Sequence, residues 1–265
     1  MNMNKVAIIG CGNIGLSIIQ GLLKEKTIPA KNITATRRNI SELASIRKSG
    51  IRITTDNISA INESGLIVIA VKPYDIIGIL DEVKDHLKPG KHILISITAG
   101  IPISQICDIT GNKVPVFRAM PNISSSVGKS VTCICHNSAK ADEIEAVKDL
   151  FDKIGTTMTI DEDLMQSATI LGACGVAYVL RFIRAMIQGG IQIGFDAATA
   201  SAIVNQTVKG AAELLIERHQ HPEFEIDKVT TPKGCTIVGL NEMEHNGFSS
   251  SLIKGIVASF DKIEK

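Results

Sequence analysis

Short, nearly continuous runs of apolar residues mark the first 160 positions of the chain. Eight runs have the length and the β-branched composition of strands buried on both faces. They cover residues 6–9, 32–36, 51–54, 66–71, 92–98, 114–117, 130–135 and 156–160. Helical patterns follow some of them, at residues 13–23, 41–48 and 138–153. This alternation predicts an α/β domain, built as a doubly wound parallel sheet with helices on both faces.

The pattern changes near position 161, where strand signals stop and helical signals continue to the end of the chain. Small residues are frequent in the predicted helices, at 168–178 and 197–216, and a last helix is predicted from 248 onward. A loop with turn residues is predicted over 228–236. Because glycine inside a helix costs about 1 kcal/mol relative to alanine, the bare faces of these helices must pack closely against something. We therefore predict an α/β domain over 1–160 and an all-α domain over 161–265, with association between two copies through the latter.

The turn after the first predicted strand carries the clearest functional signal. It has the pattern Gly10-x-Gly12-x-x-Gly15, placed between a buried strand and a helix. In such a unit the first glycine permits the turn, the second lets the backbone approach a pyrophosphate, and the third lets the helix pack on the strand. The helix N-terminus adds N–H donors and partial positive charge. This stretch predicts dinucleotide binding.

The end of the second predicted strand is the place where such a domain distinguishes between cofactors. An NAD enzyme usually has an acidic residue there, which holds the ribose 2′-hydroxyl. This chain has Thr36, Arg37 and Arg38 and no acid, which favours the 2′-phosphate of NADP. The alternative is that the two arginines form a solvated charged turn.

Composition limits the possible partners. There are 28 basic and 27 acidic residues, so no overall field attracts the chain to nucleic acid or to an anionic membrane, and we expect a small-molecule substrate. The longest apolar stretch, 164–180, is expected to fall short of a membrane span. The six cysteines lie in apolar segments, and no signal peptide is recognised in the sequence. We therefore expect reduced thiols and a cytoplasmic location. A fourth ligand beside Cys133, Cys135 and His136 is not evident, so no metal site is predicted.

Taken together, the motifs resemble those of the pyrroline-5-carboxylate reductases, along essentially the whole chain. The shared features are the glycine turn, Ala70-Val-Lys-Pro73, Ser96-x-x-Ala99-Gly100, Arg118-x-Met-Pro-Asn122, Gly175-x-Ala-Tyr178 and Val229-Thr-Thr-Pro-x-Gly-x-Thr236. The resemblance implies a Rossmann-type domain followed by an α-helical dimerisation domain, and a homodimer that can assemble further into a decamer. It implies NAD(P)H-dependent reduction of a cyclic imine, 1-pyrroline-5-carboxylate, to L-proline in proline biosynthesis. Thr36, Arg37 and Arg38, without an acid, predict that NADPH is preferred to NADH.

The motifs also give the residues of the expected site. The candidate cofactor-binding residues lie in the glycine turn and at the ends of the predicted strands: Gly10, Cys11, Gly12, Asn13, Ile14, Gly15, Thr36, Arg37, Arg38, Asn57, Ala70, Val71, Lys72, Pro73, Thr98, Ala99 and Gly100. The resemblance assigns the hydroxyl of Thr236 to the imine nitrogen as the catalytic contact. It assigns the substrate carboxylate to the backbone of Lys233, Gly234 and Cys235, with Glu162 as a further substrate-site candidate.

Two motifs depart from the family pattern. Residues 172–178 read Gly-Ala-Cys-Gly-Val-Ala-Tyr and lack two hydroxyls and a proline, and Lys233 stands where a glycine is usual. These departures leave open a catalytically silent NADP-binding regulatory paralogue. A β-hydroxyacid dehydrogenase, or another imine or carbonyl dehydrogenase of the same build, is the other alternative. Dehydrogenases of the β-hydroxyacid type generally use a lysine on the first helix of the second domain, where this chain has Arg181 and Arg184.

Overall fold

A computed structural model describes residues 3–26 and 28–263 of the chain. Within these residues it has eight strands: β1 (Val6–Ile9), β2 (Ile33–Thr36), β3 (Arg52–Thr54), β4 (Leu66–Ile69), β5 (Ile93–Ser96), β6 (Val116–Met120), β7 (Ser130–His136) and β8 (Gly155–Thr159). They form a single sheet in the order β3-β2-β1-β4-β5-β6-β7-β8. All neighbours are parallel except β6 and β7, which are antiparallel. The predicted α/β architecture is confirmed, and each predicted run forms a strand with ends that differ by up to three residues.

The helices of the described chain are α1 (Asn13–Lys24), α2 (Ala44–Arg47), α3 (Asn57–Asn62), α4 (Ile76–Val83), α5 (Ile103–Thr110), α6 (Ala141–Asp152), α7 (Met165–Ala168), α8 (Gly175–Gln192), α9 (Ala197–Arg218), α10 (Pro222–Val229), α11 (Cys235–His245) and α12 (Phe248–Ile263). The sequence patterns did not locate α3, α4, α5, α10 and α11. The loop predicted over 228–236 is wrong at both ends, because α10 continues to Val229 and α11 begins at Cys235.

The core lies on both faces of the sheet, as two-sided burial of the strands requires. Along β1, Val6 and Ile8 pack on one face with α1 and α6, whereas Ala7 and Ile9 pack on the other with α4 and α5. The alternation follows from the two-residue period of a strand. All four residues of β1 are buried, and the strand lies inside the sheet, between β2 and β4.

The chain forms two compact units, residues 1–176 and 177–265. This division falls later than the predicted boundary at 160, because Met165 and Ile170 are buried in the first unit. A 3-10 turn (Glu162–Leu164) precedes α7, and π-helical turns (Thr169–Cys174) join α7 to α8.

The second unit has little core of its own. Among its described residues, 177–263, only Ala200 and Val204 are buried apolar side chains. Tyr178 and Ser259 are joined by a hydrogen bond of 2.8 Å between their hydroxyls, which ties α8 to α12. The α8 helix also approaches α9 closely, since a Cβ added at Gly190 would lie 3.1 Å from that of Ala200. Most apolar side chains of this unit are left exposed.

The helical segment Glu162–Gln192 is long and apolar enough to cross a membrane, judged by length and composition alone. The sequence prediction concerns only the apolar stretch 164–180, whereas the helical segment that contains it extends to Gln192. Its most apolar window is 6% buried within the chain. Such a helix needs a partner surface of some kind, either another protein surface or lipid.

Candidate active site

The glycine turn lies at the carboxyl end of β1, where its first glycine has no space for a side chain. Gly10 has φ +77°, a left-handed conformation that favours glycine, and an added Cβ would lie 2.1 Å from Cγ1 of Val71. The turn is fixed to β2 by two hydrogen bonds. The Gly10 amide donates to Oγ1 of Thr36 at 3.3 Å, and the Cys11 amide donates to the Thr36 carbonyl at 2.8 Å.

The start of α1 offers free space beside uncapped amides. Gly12 is the N-cap of α1 and provides no side-chain hydrogen bond to its first turn, formed by Asn13, Ile14 and Gly15. A Cβ added at Gly12 would meet only the Gly10 carbonyl oxygen, at 3.9 Å, whereas one at Gly15 would lie 3.2 Å from Cγ2 of Ile8. A methyl at position 12 would therefore fill space that is open, and a pyrophosphate fits that space and these donors.

Thr36 and Asn57 support the turn from behind. The side chain of Thr36 is buried, and its hydroxyl donates to Oδ1 of Asn57 at 2.6 Å. The Asn57 amide in turn donates to Oε2 of Glu82 at 3.0 Å. Sequence reasoning missed Glu82, which lies 25 positions from Asn57. The chain of contacts orients the Thr36 hydroxyl towards the Gly10 amide.

The two predicted arginines are both at the end of β2, but their surroundings differ. Arg37 is held at two points, by a 3.0 Å hydrogen bond from Nη1 to the Cys11 carbonyl and by an ion pair with Glu42. Arg38 forms an ion pair with Asp75, and its side chain is 83% exposed. Glu42 and Asp75 were not singled out from the sequence.

The ends of β4 and β5 form the adjoining edge. The Ala70 amide donates to the Ile9 carbonyl at 2.8 Å, and Oγ1 of Thr98 donates to the Val71 carbonyl at 3.2 Å. Exposed residues follow on both strands: Lys72 and Pro73 after β4, and Gly100, with φ +78°, after β5. Ala99, which precedes Gly100, is partly exposed. The strand order reverses at β1, which has β2 on one side and β4 on the other. The carboxyl ends of these strands therefore form the switch point at which open α/β sheets bind ligands.

Glu162 lies at the start of the long helical segment and contacts the same unit. Its Oε1 accepts hydrogen bonds from the Ile103 amide at 2.8 Å and from Nη1 of Arg118 at 2.9 Å. Pro102, the N-cap of α5, provides no side-chain cap, so Glu162 caps this helix from a distant part of the chain. Nearby, Nδ2 of Asn122 donates to the Gly172 carbonyl in the π-helical turns, at 2.9 Å.

The other predicted substrate residues, 233–236, lie in the second unit, around the start of α11. Lys233 has φ +61°, Gly234 is the N-cap, and Cys235 and Thr236 are exposed in the first turn. A Cβ at Gly234 would lie 2.5 Å from Oγ1 of Thr231, so glycine is required there. The left-handed backbone at 233 explains why the family pattern has glycine at that position.

The buried thiols are not suited to nucleophilic chemistry. Burial raises the pKa of Cys11 to about 12, against an opposite effect of the nearby Arg37 charge. Burial likewise raises the pKa of Cys135 to about 11. These groups stay protonated at neutral pH. In the residues that the structure describes, no three His, Cys, Asp or Glu side chains are grouped so as to hold a metal ion.

Comparison with known proteins gives two matching family models. Residues 162–265 match the model described as pyrroline-5-carboxylate reductase dimerisation. Residues 5–100 match the model described as NADP oxidoreductase, coenzyme F420-dependent.

Individual proteins match along the whole chain. Pyrroline-5-carboxylate reductase 2 of Dictyostelium discoideum is 40% identical, over 100% of this chain and 93% of its own length. Pyrroline-5-carboxylate reductase 1 of the same organism is 42% identical over 98% of this chain, which spans about half (49%) of that relative. The crystal structure of Plasmodium falciparum pyrroline carboxylate reductase with NADP bound is 26% identical, with a TM-score of 0.88, and covers 98% of this chain and 96% of that one.

Proposed function

The chain belongs to the pyrroline-5-carboxylate reductase family, and from this membership we propose that it reduces 1-pyrroline-5-carboxylate to L-proline, in proline biosynthesis, with NADPH. The observation that supports this most directly is the open cradle at Gly12, where uncapped amides of α1 meet the space that a methyl group would fill. NADPH supplies the hydride when bound. The remaining work of the protein is to orient the reactants.

We propose that the cofactor lies along the edge formed by β1, β2, β4 and β5. The amides of residues 12–15 bind the pyrophosphate, and Arg37 and Arg38 provide the positive charge for the 2′-phosphate. Thr36 and Asn57 contribute by fixing the turn, because the Thr36 hydroxyl is already used by Gly10 and Asn57. The exposed ends of β4 and β5 extend the site towards the nicotinamide. No acid follows β2 directly, which supports a preference for NADPH over NADH.

We propose that the start of α11 binds the substrate. Its first amides, beyond the N-cap Gly234, are donors suited to a carboxylate, and the exposed hydroxyl of Thr236 is suited to the ring nitrogen. A protonated imine is a strong electrophile, so no general base is required. Glu162 remains a proposed substrate residue, although its Oε1 already holds Arg118 and the Ile103 amide.

Residues 161–265 are proposed as the dimerisation and substrate domain of a homodimer, which could assemble into a decamer. A groove of about 700 Å³ is lined by apolar side chains of α8, α11 and α12, including Val179, Phe182, Met243 and Leu252. Because the unit has almost no core of its own, a second copy is the expected cover for these side chains. In this proposal the long apolar helix contacts the second copy of the chain and does not cross a membrane. The protein is then cytoplasmic, with neither a membrane nor a nucleic acid as partner.

The direct test combines the purified protein with NADPH and chemically prepared pyrroline-5-carboxylate, with NADPH oxidation followed at saturating substrate. Turnover that yields proline supports the proposal. Tight NADPH binding without turnover would instead indicate a regulatory paralogue, which the altered residues 172–178 keep as the alternative. Light scattering tests the dimer, since a monodisperse species of 28.3 kDa at micromolar concentration would contradict it.

A further inference from the structure

The two arginines at the end of β2 are already neutralised by carboxylates of the same chain. Arg37 pairs with Glu42, and Arg38 pairs with Asp75. An NADP site built from two free arginines would carry a charge of +2, whereas this one is neutral before the cofactor arrives. The carboxylates therefore have to be considered as part of cofactor recognition.

The two pairs differ in how easily they can be exchanged. Arg37 is also bound to the Cys11 carbonyl at 3.0 Å, and its side chain is 26% exposed, so it is fixed as a brace of the glycine turn. Arg38 has Asp75 as its one acidic partner within residues 3–26 and 28–263, and its side chain is largely in solvent. Exposed ion pairs of this kind are weak, and so Arg38 can leave its partner at little cost.

Asp75 is well placed to act as the competitor. Its backbone is fixed in the turn after β4, since its amide donates to the Lys72 carbonyl at 2.9 Å and its carbonyl accepts from the Ile79 amide at 3.2 Å. It is the N-cap residue of α4, yet its side chain makes no capping hydrogen bond. In the described residues, the carboxylate serves Arg38 alone.

We infer that Asp75 is a specificity-determining residue, whose carboxylate holds Arg38 and competes with the 2′-phosphate of NADP for it. The inference rests on the proposed function and deepens its cofactor site. A phosphate monoester carries about −1.5 to −2 charges and three acceptor oxygens, so it takes the guanidinium from a single carboxylate. Because Arg38 must leave Asp75 before it binds the phosphate, the affinity for NADP is lowered by the free energy needed to break the Arg38–Asp75 pair. NAD, which has no 2′-phosphate, breaks no such pair.

The test is isothermal titration of the full chain with NADP⁺ and with NAD⁺. Asp75→Asn is expected to tighten NADP⁺ binding about two- to fivefold, the range of an exposed ion pair, and to leave NAD⁺ binding unchanged. The gain should disappear in an Arg38→Met background and at high salt. Asp81→Asn is the matched control, because Asp81 lies on α4 and pairs with Lys84 at 2.8 Å, away from Arg38.

Each other outcome overturns the inference. An unchanged NADP⁺ affinity shows that Asp75 does not compete, and an equal gain with NAD⁺, or with Asp81→Asn, shows a general charge effect. A gain that persists in the Arg38→Met background shows that Asp75 acts elsewhere. If the unmodified protein binds no NADP⁺, the proposed function fails together with the inference. If it binds and turns over while Asp75→Asn changes nothing, only the inference fails.

Discussion

The guanidinium of Arg118, on β6, donates a hydrogen bond of 2.9 Å to the carboxylate of Glu162, the first residue of the 3-10 turn that follows β8. The Arg118 side chain is 7% exposed and that of Glu162 34%. The same carboxylate oxygen caps α5 through the Ile103 amide. The start of the long helical segment is thereby fixed to β6 and to the start of α5, the helix that follows the Thr98–Gly100 turn.

Breaking this pair from one side should destabilise the protein. Glu162→Ala leaves the Arg118 charge buried without a partner and α5 without a cap, which costs about 3 kcal/mol, the low end for such a pair because Glu162 is partly exposed. Urea denaturation measures the loss as a lower midpoint. Asp163→Ala, at the exposed neighbour, should change stability by no more than about 0.5 kcal/mol. Equal midpoints for the two variants would contradict the anchoring role.

The glycine turn should separate folding from cofactor binding. Gly10→Ala forces a left-handed alanine against Val71 and should cost at least about 1–2 kcal/mol of stability. Gly12→Ala meets no close atom, so stability should fall by less than about 1 kcal/mol, while NADPH affinity falls at least about tenfold. Thermal unfolding and cofactor fluorescence measure the two effects. Full NADPH affinity in Gly12→Ala would show that the pyrophosphate lies elsewhere.

The glycine turn was predictable from the sequence because its information is local. A buried strand, three glycines and a helical pattern lie within twenty residues, and each constrains the backbone directly. The strands of the sheet were predictable for the same reason. Helices α3 to α5 were missed because they are only six to eight residues long and their apolar residues merge with the neighbouring runs.

The contacts that complete the site could not be read from spacing. Arg38 and Asp75 are 37 positions apart, and Arg118 and Glu162 are 44 apart. Such pairs depend on which strands become neighbours, and the order of strands in the sheet is not a local property. At Lys233 the sequence shows the departure from the family pattern. Only the structure shows that the backbone there is left-handed.

The two arginines should have different effects on cofactor choice. Arg38→Met should weaken NADPH about ten- to a hundredfold, the value of one charge-assisted contact of about 1.5–3 kcal/mol, and leave NADH unchanged. Arg37→Met removes the brace on the Cys11 carbonyl as well, so both cofactors should weaken. Fluorescence titration with each cofactor distinguishes the two. Selective loss of NADPH in Arg37→Met alone would reverse the assignment.

His92 should make stability depend on pH. Its side chain is fully buried, Nδ1 accepts a 3.0 Å hydrogen bond from the Lys88 amide, and burial, with the Lys91 and Lys88 charges, lowers its pKa from 6.5 to about 4. Between these values the unfolded chain binds a proton that the folded chain does not. Stability is therefore fully present above pH 6.5 and is lost as the pH falls towards 4.

The comparison is with His92→Asn, whose side-chain oxygen keeps an acceptor for the Lys88 amide. Urea midpoints between pH 7 and pH 4.5 should fall less steeply in this variant than in the unmodified protein. An identical slope would assign the acid sensitivity to other groups.

Thr236 tests the placement of the substrate. Its hydroxyl is exposed in the first turn of α11, so Thr236→Ala removes the proposed contact to the imine nitrogen without filling or opening a core. Loss of a hydrogen bond to a charged group is worth about 1.5–3 kcal/mol, so kcat/KM should fall about ten- to a hundredfold. NADPH affinity should be unchanged, and Thr236→Ser should recover most of the activity. Undiminished reduction of pyrroline-5-carboxylate by Thr236→Ala would place the substrate elsewhere.

Lys233 provides the control within the same turn, provided that backbone and charge are separated. Lys233→Gly relieves the left-handed strain at φ +61° and removes the charge together, so its effect on KM has two causes. Lys233→Asn removes the charge but retains a residue that tolerates this conformation. If the ammonium attracts the substrate carboxylate, both variants should raise KM several-fold at low salt, with kcat unchanged. If KM rises in neither variant, the ammonium of Lys233 does not attract the carboxylate. Thr236 and the backbone amides of α11 would then be the remaining proposed substrate contacts.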